Sequence, residues 1–195
     1  MINKRQLRIK RAFDFGLALQ LFLVLIVPIL ILTVLAAIET RQFGIYSQRR
    51  IGQHGKPFKI YKIRTMKTKG HIPFNEVSNN VKPFGRWLQK HKLNEWPQLI
   101  NVLLGNMSLV GPRPDLPGYA DKLLGDDRIV LTVKPGITGP ATLKFKNEAE
   151  LLNKQPYPQR YNDEVIWPEK VAINKAYIKN WSFKKDVYYI LKTLF

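Results

Sequence analysis

A run of 24 residues without a charged side chain, from position 15 to position 38, constrains this chain more than any other feature. At about 1.5 Å per residue, the run would reach roughly 36 Å as a straight helix, which exceeds the roughly 30 Å of a bilayer's hydrocarbon core. A secretory signal peptide would have a shorter apolar region and a small-residue cleavage site, and neither is clear here. The run therefore predicts a membrane segment.

Pro28 and the flanking charges bear on how this segment meets the membrane. Pro28 lies near the middle of the run, where it removes a helix hydrogen bond. Basic residues flank both ends, so the positive-inside rule favours neither orientation. If the helix breaks at Pro28, each arm of about 10 to 13 residues is only about 15 to 20 Å long. We predict a re-entrant helix that returns to the same face; the alternative is a kinked single-pass anchor.

The positive charge of the chain lies mostly after the membrane segment. Lys and Arg number 32 against 14 Asp and Glu, which gives a net charge of +18, and +15 of this belongs to residues 40–195. Such an excess implies an anionic partner: nucleic acid, an acidic membrane surface or a phosphorylated substrate. Cysteine is absent, and the three histidines (His54, His71, His91) show no ligand spacing. These counts exclude a disulfide framework, a thiolate nucleophile and a Cys-ligated metal.

After the membrane segment the sequence is mixed globular, without repeats or low-complexity tracts, so we predict two parts, 1–39 and 40–195. The segment FKIYKIRTM (58–66) follows a GQHGKP turn and reads as a strand. Lys62 and Arg64 would share one face of that strand. They are either ligands for an anion or the lysine-protected edge of a solvated strand.

A helix is predicted in NEWPQLINVLLG (94–105), where apolar residues recur at helical spacing. Pro97 falls in the first turn, Gly105 supplies a stop, and Asn94 is the expected N-cap. Asn94 and Glu95 then have two readings. They simply begin the helix, with the acid near its positive end, or they belong to a site for a phosphate or a metal-bridged anion.

Two loops rich in Pro and Gly each carry a cation. In GNMSLVGPRPD (105–115), Pro114 biases Arg113 toward extended geometry, which suits bidentate phosphate binding by its guanidinium. In VKPGITGPA (133–141), Lys134 lies near the start. Further on, aromatic residues interleave with lysines between positions 177 and 192. This mixture indicates either a helix in the lipid headgroup layer or an ordinary amphipathic core helix.

The ordered set of motifs is more specific than any one of them. The segments KRAFD, QRRIGQHGKPFKIYKIRTM, FGRWLQKHKLNEWPQLINVLLGNMSLVGPRP, KPGITGPA and NWSFKKDVYYILKTL together resemble the bacterial sugar transferases known as monotopic polyprenyl-phosphate phosphoglycosyl transferases. The resemblance covers nearly the whole chain. It implies an α/β fold, mostly helical with a small β element, held at the cytoplasmic face of the bacterial plasma (inner) membrane by a re-entrant helix and amphipathic helices.

The resemblance also implies a reaction. A phospho-sugar moves from a UDP-sugar to undecaprenyl phosphate with Mg²⁺, UMP is released, and a surface glycan such as an exopolysaccharide is begun. In that family an Asp–Glu pair opens the helix, the Asp attacking phosphorus and the Glu holding the metal. Glu95 matches the Glu, whereas Asn94 stands at the nucleophile position. The Arg often found five residues before the nucleophile is Gln89, which leaves Lys90 as the nearest cation.

Two further positions depart from the family pattern: Asn106 replaces an Asp, and Val27 replaces the Ser that often precedes the membrane proline. Because an amide cannot accept phosphate to give an acyl phosphate, three hypotheses remain for the chemistry. Glu95 or another carboxylate such as Asp115 is the nucleophile, the reaction is a direct displacement, or the protein is an impaired substrate binder or scaffold of glycan assembly. The residues expected to bind the diphosphate, the uridine side or the acceptor phosphate are Lys62, Arg64, Lys90, Arg113 and Lys134.

A nucleic-acid binder is the main rival among non-enzymes, because the charge is high and aromatic residues are plentiful. The sequence has no helix-turn-helix, zinc or RNP-type signature, so no nucleic-acid partner is predicted. The expected partners are a UDP-sugar, undecaprenyl phosphate and anionic membrane lipid. The identity of the sugar, the glycan pathway and the formation of a homodimer are left open by the sequence.

Overall fold

The computed structural model describes residues 2–67 and 80–194. His71, one of the three histidines without metal-ligand spacing in the sequence, lies outside these residues. The described residues form two compact units. The terminal unit takes its residues from 1–14, 50–58 and 105–195, and the central unit takes its residues from 15–49 and 59–104. The predicted division of the chain into 1–39 and 40–195 stays a prediction.

The described residues are mostly helical and carry two small sheets, which agrees with the predicted α/β class. The α-helices are α1 (Lys4–Thr40), α2 (Pro83–Lys90), α3 (Gln98–Leu103), α4 (Pro140–Lys144), α5 (Glu148–Asn153), α6 (Pro158–Tyr161), α7 (Trp167–Lys179) and α8 (Phe183–Leu194). The strands are β1 (Ile45–Ile51), β2 (Pro57–Ile63), β3 (Ser108–Val110) and β4 (Gly136–Thr138). Short 3₁₀ segments lie at Gln53–Gly55, Leu93–Glu95, Ala120–Lys122 and Gly125–Thr132, and a π-helical segment lies at Asn162–Ile166.

Helix α1 begins at a reciprocal cap and runs through the apolar segment. The Gln6 backbone N–H donates to Asn3 Oδ1 at 2.8 Å, and the Asn3 N–H donates to Gln6 Oε1 at 2.9 Å, which is a capping-box arrangement. The helix then continues for 37 residues with Pro28 inside it. The predicted end of the helix at Pro28 is therefore not observed, since Pro28 interrupts one hydrogen bond but the turns on either side continue. The re-entrant topology stays a prediction.

The apolar side chains of α1 are largely exposed in the folded chain. Among the described residues, α1 is the one helix long and apolar enough to cross a membrane; its most apolar window has a mean hydropathy of 3.2 and is only 11% buried. Leu23 is 66% exposed and Val24 is 74% exposed. A helix of this composition in a soluble core would be mostly buried. The exposure therefore favours lipid as the environment of α1.

The central unit packs the end of α1 against β2 and α2. Its core contains Ala36, Ile63 and Leu88, which are almost fully buried. The Glu39 carboxylate accepts hydrogen bonds from the backbone N–H groups of Phe84 at 2.9 Å and Gly85 at 3.2 Å. Because these N–H groups lie in the first turn of α2 and lack partners within that helix, Glu39 caps α2 from the last turn of α1.

The β1–β2 pair confirms the strand predicted around residues 58–66 and the turn before it. Strand β2 ends at Ile63, so Arg64 lies just beyond the strand. In the terminal unit, β3 and β4 are parallel, with Ser108 opposite Gly136 and Val110 opposite Thr138. A Cβ atom on Gly136 would overlap the backbone of Gly111, so this close approach requires glycine. The two Pro- and Gly-rich loops are thus joined backbone to backbone.

A buried ion pair connects α1 to α8 within the terminal unit. Lys10 Nζ lies 2.6 Å from Asp186 Oδ2, and the two side chains are 7% and 2% exposed. Tyr177 donates its hydroxyl hydrogen to Asp186 Oδ1 at 2.6 Å, and Trp181 Nε1 donates to Oδ2 at 3.1 Å. Burial and the Asp186 charge raise the pKa of the Tyr177 hydroxyl, which keeps it a donor. A buried charge pair of this kind is tolerated because its remaining lone pairs are satisfied.

Helix α8 is amphipathic, with Asp186 on its buried side. Tyr188 and Leu191 are about half exposed, and Lys192 lies over the Tyr188 ring at 5.9 Å. The buried side favours the core-helix reading, and the exposed aromatic and lysine side chains suit the headgroup layer. Its placement at a lipid surface stays a prediction.

Candidate active site

Asn94 and Glu95 lie in a 3₁₀ turn that precedes α3. Lys92 enters this turn with a left-handed backbone (φ 58°), and the Trp96 N–H donates to the Leu93 carbonyl at 3.2 Å. Helix α3 begins only at Gln98, with Pro97 as its N-cap. The prediction of Asn94 as the N-cap is therefore wrong, because the chain makes a tight 3₁₀ turn before the α-helix starts. Asn94 is instead a buried residue of that turn.

Glu95 forms an ion pair with Lys62, a residue of β2 that the sequence analysis predicted as a phosphate ligand. Lys62 Nζ lies 3.0 Å from Glu95 Oε1, and the two side chains are only 18% and 12% exposed. Such a partly buried pair is held more firmly than a surface pair, since removing either partner leaves a charge with little access to water. The structure thus brings together two residues that the sequence predicted separately.

Helix α3 is fixed to β2 by Asn101. Its Nδ2 donates to the Lys59 carbonyl at 2.7 Å, and its Oδ1 accepts from the Tyr61 N–H at 3.1 Å. This pair of hydrogen bonds places the Asn94–Glu95 turn beside Lys62. The role of Asn101 was missed from the sequence; the available signal was an amide within a helix whose other residues are mostly apolar.

Gln98 is a second missed residue near this turn. It is 2% exposed, and within the described residues its Nε2 has no hydrogen-bond partner. A buried amide donor without a partner is costly, and it is a ready donor to an anionic oxygen. Gln98 lies four residues after Asn94, so the start of α3 offers both a carboxylate and an uncommitted N–H donor.

Other predicted ligands of the central unit lie elsewhere. Arg64 donates from Nε to the Phe43 carbonyl at 2.8 Å and from Nη1 to Gln42 Oε1 at 3.1 Å. Lys90 is exposed at the last residue of α2. Strand β2 ends at Ile63, one residue before Arg64, and the expectation that Lys62 and Arg64 share a face stays a prediction.

In the terminal unit, the loop after β3 places Arg113 near Asp115, where several charges meet. The Asp115 carbonyl accepts from the Ile51 N–H at 2.9 Å, and Arg50 Nη1 donates to the Pro114 carbonyl at 3.3 Å. Burial raises the pKa of the Asp115 carboxyl to about 7, although Lys170, Arg50 and Arg113 act in the opposite direction. Asp115 is therefore an acid that titrates near neutral pH among three cations.

Lys134 lies beside Arg11, a residue that the sequence did not single out. Both cations approach the face of Gly105, whose backbone is left-handed (φ 82°). The available sequence signal for Arg11 was its place in the KRAFD motif. Arg113 and Lys134 both belong to the terminal unit, whereas Lys62, Arg64, Lys90, Asn94 and Glu95 belong to the central unit.

Glu95 and Asn94 carry oxygen ligands, the kind that Mg²⁺ prefers over softer nitrogen and sulfur ligands. Among the described residues, no group of three or more His, Cys, Asp or Glu side chains is arranged to hold a metal by itself. Mg²⁺ in phosphoryl-transfer sites is usually bound by one or two carboxylates together with waters and substrate phosphates. The Glu95 carboxylate, with the Asn94 amide oxygen next to it in sequence, is compatible with an ion that binds together with a diphosphate.

Comparisons with known proteins match almost the whole chain. The family model described as "Bacterial sugar transferase" matches residues 5–195. The chain is 35% identical to the uncharacterized sugar transferase EpsL of Bacillus subtilis (strain 168), over 92% of this chain and 82% of that protein. It is 30% identical to the exopolysaccharide production protein ExoY of Rhizobium meliloti (strain 1021), over 95% of this chain and 83% of that protein.

Longer relatives carry names that state a reaction. The chain is 34% identical to the UDP-glucose:undecaprenyl-phosphate glucose-1-phosphate transferase of Escherichia coli (strain K12), over 96% of this chain. It spans only 39% of that protein's length. The match of the family model over almost all of the sequence, together with these relatives, shows that the chain belongs to the bacterial sugar transferase family.

Proposed function

We propose that this protein transfers a phospho-sugar from a UDP-sugar to undecaprenyl phosphate, releasing UMP and starting a surface glycan. We place it at the cytoplasmic face of the bacterial plasma membrane, with anionic lipid around α1. The observation that carries the proposal is the Lys62–Glu95 pair, which holds a carboxylate at the family's metal position. Family membership and the relatives' names support the reaction, and the exposed apolar surface of α1 supports the location.

In this proposal the chain's own residues bind and align phosphates. Glu95 and the Asn94 amide oxygen would hold Mg²⁺, which supplies charge neutralisation for the diphosphate when bound. Gln98 Nε2, at the start of α3, is a donor for a phosphoryl oxygen. In the terminal unit, the Arg113 guanidinium is suited to bidentate phosphate binding. Phosphoryl transfer depends mostly on such positioning and electrostatic stabilisation, which these groups would provide.

We propose Asp115 as the carboxylate that replaces the family nucleophile. An Asp115 oxygen would form a bond to the sugar-bearing phosphorus as the bond from that phosphorus to the bridging oxygen breaks, and UMP would leave with that oxygen. An oxygen of the acceptor phosphate would then attack the same phosphorus and free the carboxylate. The three cations near Asp115 support this role, because they offset charge on the phosphoryl oxygens. A carboxylate with a pKa near 7 is also more basic than an ordinary Asp.

Replacing Glu95 by Gln tests the metal role. We expect UMP release to fall by about 10²-fold to 10³-fold, because an amide binds Mg²⁺ more weakly than a carboxylate and leaves Lys62 without its charge partner. The measurement is a coupled UMP assay with undecaprenyl phosphate over a series of Mg²⁺ concentrations, in which the half-saturating Mg²⁺ concentration should rise. Glu150→Gln, at an exposed acid, is the matched control. Unchanged Mg²⁺ dependence in the Glu95 variant would contradict the metal role, and a wild-type chain that releases no UMP would favour the scaffold alternative.

Single cysteines test the re-entrant topology, since the chain contains no cysteine of its own. Lys4→Cys lies before the apolar run and Ser47→Cys lies after it, and both positions are exposed. We expect a membrane-impermeant maleimide to leave both cysteines unlabelled in intact spheroplasts and to label both after lysis. Labelling of one position alone in intact spheroplasts would establish a single-pass anchor instead.

A further inference from the structure

In the part of the chain that the structure describes, strand β3 has β4 on one side and no strand on the other, which we call its open edge. On the β4 side, the Ser108 N–H donates to the Pro135 carbonyl at 2.8 Å. Successive N–H groups of a strand point to opposite sides, so the Leu109 N–H points to the open edge. Leu109 is 6% exposed, and water has little access to it. Its N–H therefore needs an acceptor from another part of the fold.

Asp14 of α1 supplies this acceptor. Its Oδ1 accepts from the Leu109 N–H at 3.2 Å, and its Oδ2 accepts from Ser108 Oγ at 2.7 Å. Asp14 is 3% exposed, and Lys10 Nζ lies 3.8 Å from its Oδ2. A buried carboxylate is tolerated here because backbone, hydroxyl and ammonium donors surround it. The last charged residue before the uncharged run thus completes the open edge of β3.

Strand β3 leads directly into the loop that carries Arg113. The strand ends three residues before Arg113. Between them, the Gly111 N–H donates to the Thr138 carbonyl at 2.9 Å, and the Pro112 carbonyl accepts from the Gly136 N–H at 2.8 Å. The backbone that connects β3 to Arg113 is therefore bonded to β4. A shift of β3 would change these bonds and move Arg113.

The end of the same loop is held by other contacts of the terminal unit. Arg50 Nη1 donates to the Pro114 carbonyl at 3.3 Å. The Ile51 N–H donates to the Asp115 carbonyl at 2.9 Å. Helix α1 therefore acts on the beginning of the loop, while β1 acts on its end. Arg113 lies between the two, and Asp115 has a backbone contact of its own.

We propose that Asp14 is a positioning residue for Arg113. Its carboxylate fixes the open edge of β3, and β3 in turn determines where the Arg113 guanidinium lies. The inference rests on the proposed function only for the reaction in which Arg113 takes part. It gives the start of α1 a role besides the proposed membrane attachment, because the helix with the apolar run also holds the loop with a phosphate ligand.

Hydrogen–deuterium exchange of the full chain in detergent tests the contact without any substrate. We expect Asp14→Ala to speed exchange of the amides in 108–113 by about tenfold or more, because the Leu109 N–H loses its acceptor and β3 loses its fixed edge. Asp14→Asn should change this exchange by less than about threefold, since the amide oxygen can still accept from Leu109. Amides of α2 are the internal reference. Asp126→Ala, at an exposed acid of the terminal unit, is the control variant.

A double-mutant cycle with Arg113 tests whether the contact matters for the reaction. In the coupled UMP assay, we expect Asp14→Ala to lower kcat/KM by about tenfold or more in the wild-type background. In the Arg113→Gln background the same change should lower it by less than about threefold, because the group that Asp14 positions is already absent. A residue that only supports folding would lower kcat/KM by the same factor in both backgrounds. Asp14→Asn should stay within about threefold of the wild-type value.

Three results would overturn this inference. They are unchanged exchange of 108–113 in Asp14→Ala, an equal loss of kcat/KM in both backgrounds, and a loss of about tenfold or more in an Asp14→Asn variant that unfolds at the wild-type temperature. If Asp14→Ala does not fold, Asp14→Leu takes its place, since it fills the space of Asp without an oxygen acceptor. Exchange requires no turnover. A chain that releases no UMP, but in which Asp14→Ala loosens 108–113, would lose the proposed function and retain the role of Asp14 in holding the loop.

Discussion

Replacing Asp115 by Asn is expected to reduce UMP release by about a thousandfold or more. The amide keeps the size of the side chain but cannot accept a phosphoryl group to form an acyl phosphate, so a mechanism that depends on this carboxylate loses its first step. The coupled UMP assay at saturating UDP-sugar measures the effect. In wild type, the rate should rise as pH increases through about 7, because burial raises the pKa of the Asp115 carboxyl to that value and only the ionised form attacks.

Stability provides an independent readout for the same variant. The pKa of Asp115 is raised from 3.8 to about 7 in the folded chain, so the folded state binds this proton more tightly than the unfolded state. The stability gained from protonation is fully present below pH 4 and is lost as pH rises through about 7. An amide does not ionise, so Asp115→Asn avoids the loss of stability that accompanies ionisation of the buried carboxyl. We therefore expect the variant to unfold at a higher temperature than wild type at pH 8. An inactive but more stable variant separates a role in the chemistry from a role in folding.

Two comparisons sharpen the Asp115 experiment. Asp126→Asn, at an exposed acid of the same unit, should leave the rate unchanged. Asn94→Asp should change the wild-type rate by less than about threefold if Asp115 already supplies the nucleophile, whereas a gain of about 10²-fold would show that the amide at position 94 limits the enzyme. Mass spectrometry of peptides after incubation with UDP-sugar and Mg²⁺ locates any phospho-sugar adduct. An adduct on Glu95, or turnover without any adduct, would contradict the assignment of Asp115.

Introducing two acids into α1 is expected to have the second large effect. Val24 and Val27 are 74% and 61% exposed and lie three residues apart on neighbouring positions of one helix face. An Asp at the centre of a membrane helix costs about 2.5–3.5 kcal/mol, so the double variant Val24→Asp/Val27→Asp should lose about 5–7 kcal/mol of membrane insertion free energy. In a flotation gradient we expect the wild-type chain to rise with the lipid fraction and the variant to stay at the bottom.

The matched control for this experiment is Val24→Ala/Val27→Ala, which shortens the same side chains without adding charge. We expect the Ala variant to float as the wild type does. If the Asp variant also floats, the exposed apolar face of α1 is not the surface that meets lipid, and another part of the chain must provide the membrane attachment.

The sequence predicted those features of the fold that depend on local pattern. The strand around FKIYKIRTM, the turn before it and the long apolar segment all follow from residue type and spacing, and the structure contains each of them. The prediction that α3 begins at Asn94 was wrong for an equally local reason. Pro97 is compatible with the first turn of a helix that begins at Asn94. The left-handed backbone at Lys92 instead leads into a 3₁₀ turn, and α3 begins at Gln98.

The parts of the site that the sequence did not predict depend on contacts between distant residues. The sequence of β2 does not predict that Lys62 pairs with Glu95, which lies 33 residues further along the chain. The pKa of Asp115 is raised by burial in the folded chain, against the opposing charges of Lys170 and Arg50. The approach of Arg11 to Lys134 likewise requires α1 to lie beside the loop before β4. Motif order identified the family, but charge pairing is a property of the folded chain.

The contact between Lys10 and Asp186 has a consequence for biosynthesis. The two residues are separated by 176 positions, so the ribosome exposes the ammonium and the apolar segment after it long before the matching carboxylate exists. At about 5–20 residues per second, this interval lasts on the order of ten seconds or longer. In the proposed location, α1 therefore enters the bilayer before α8 is made, and α8 then completes the terminal unit around a helix that already lies in lipid.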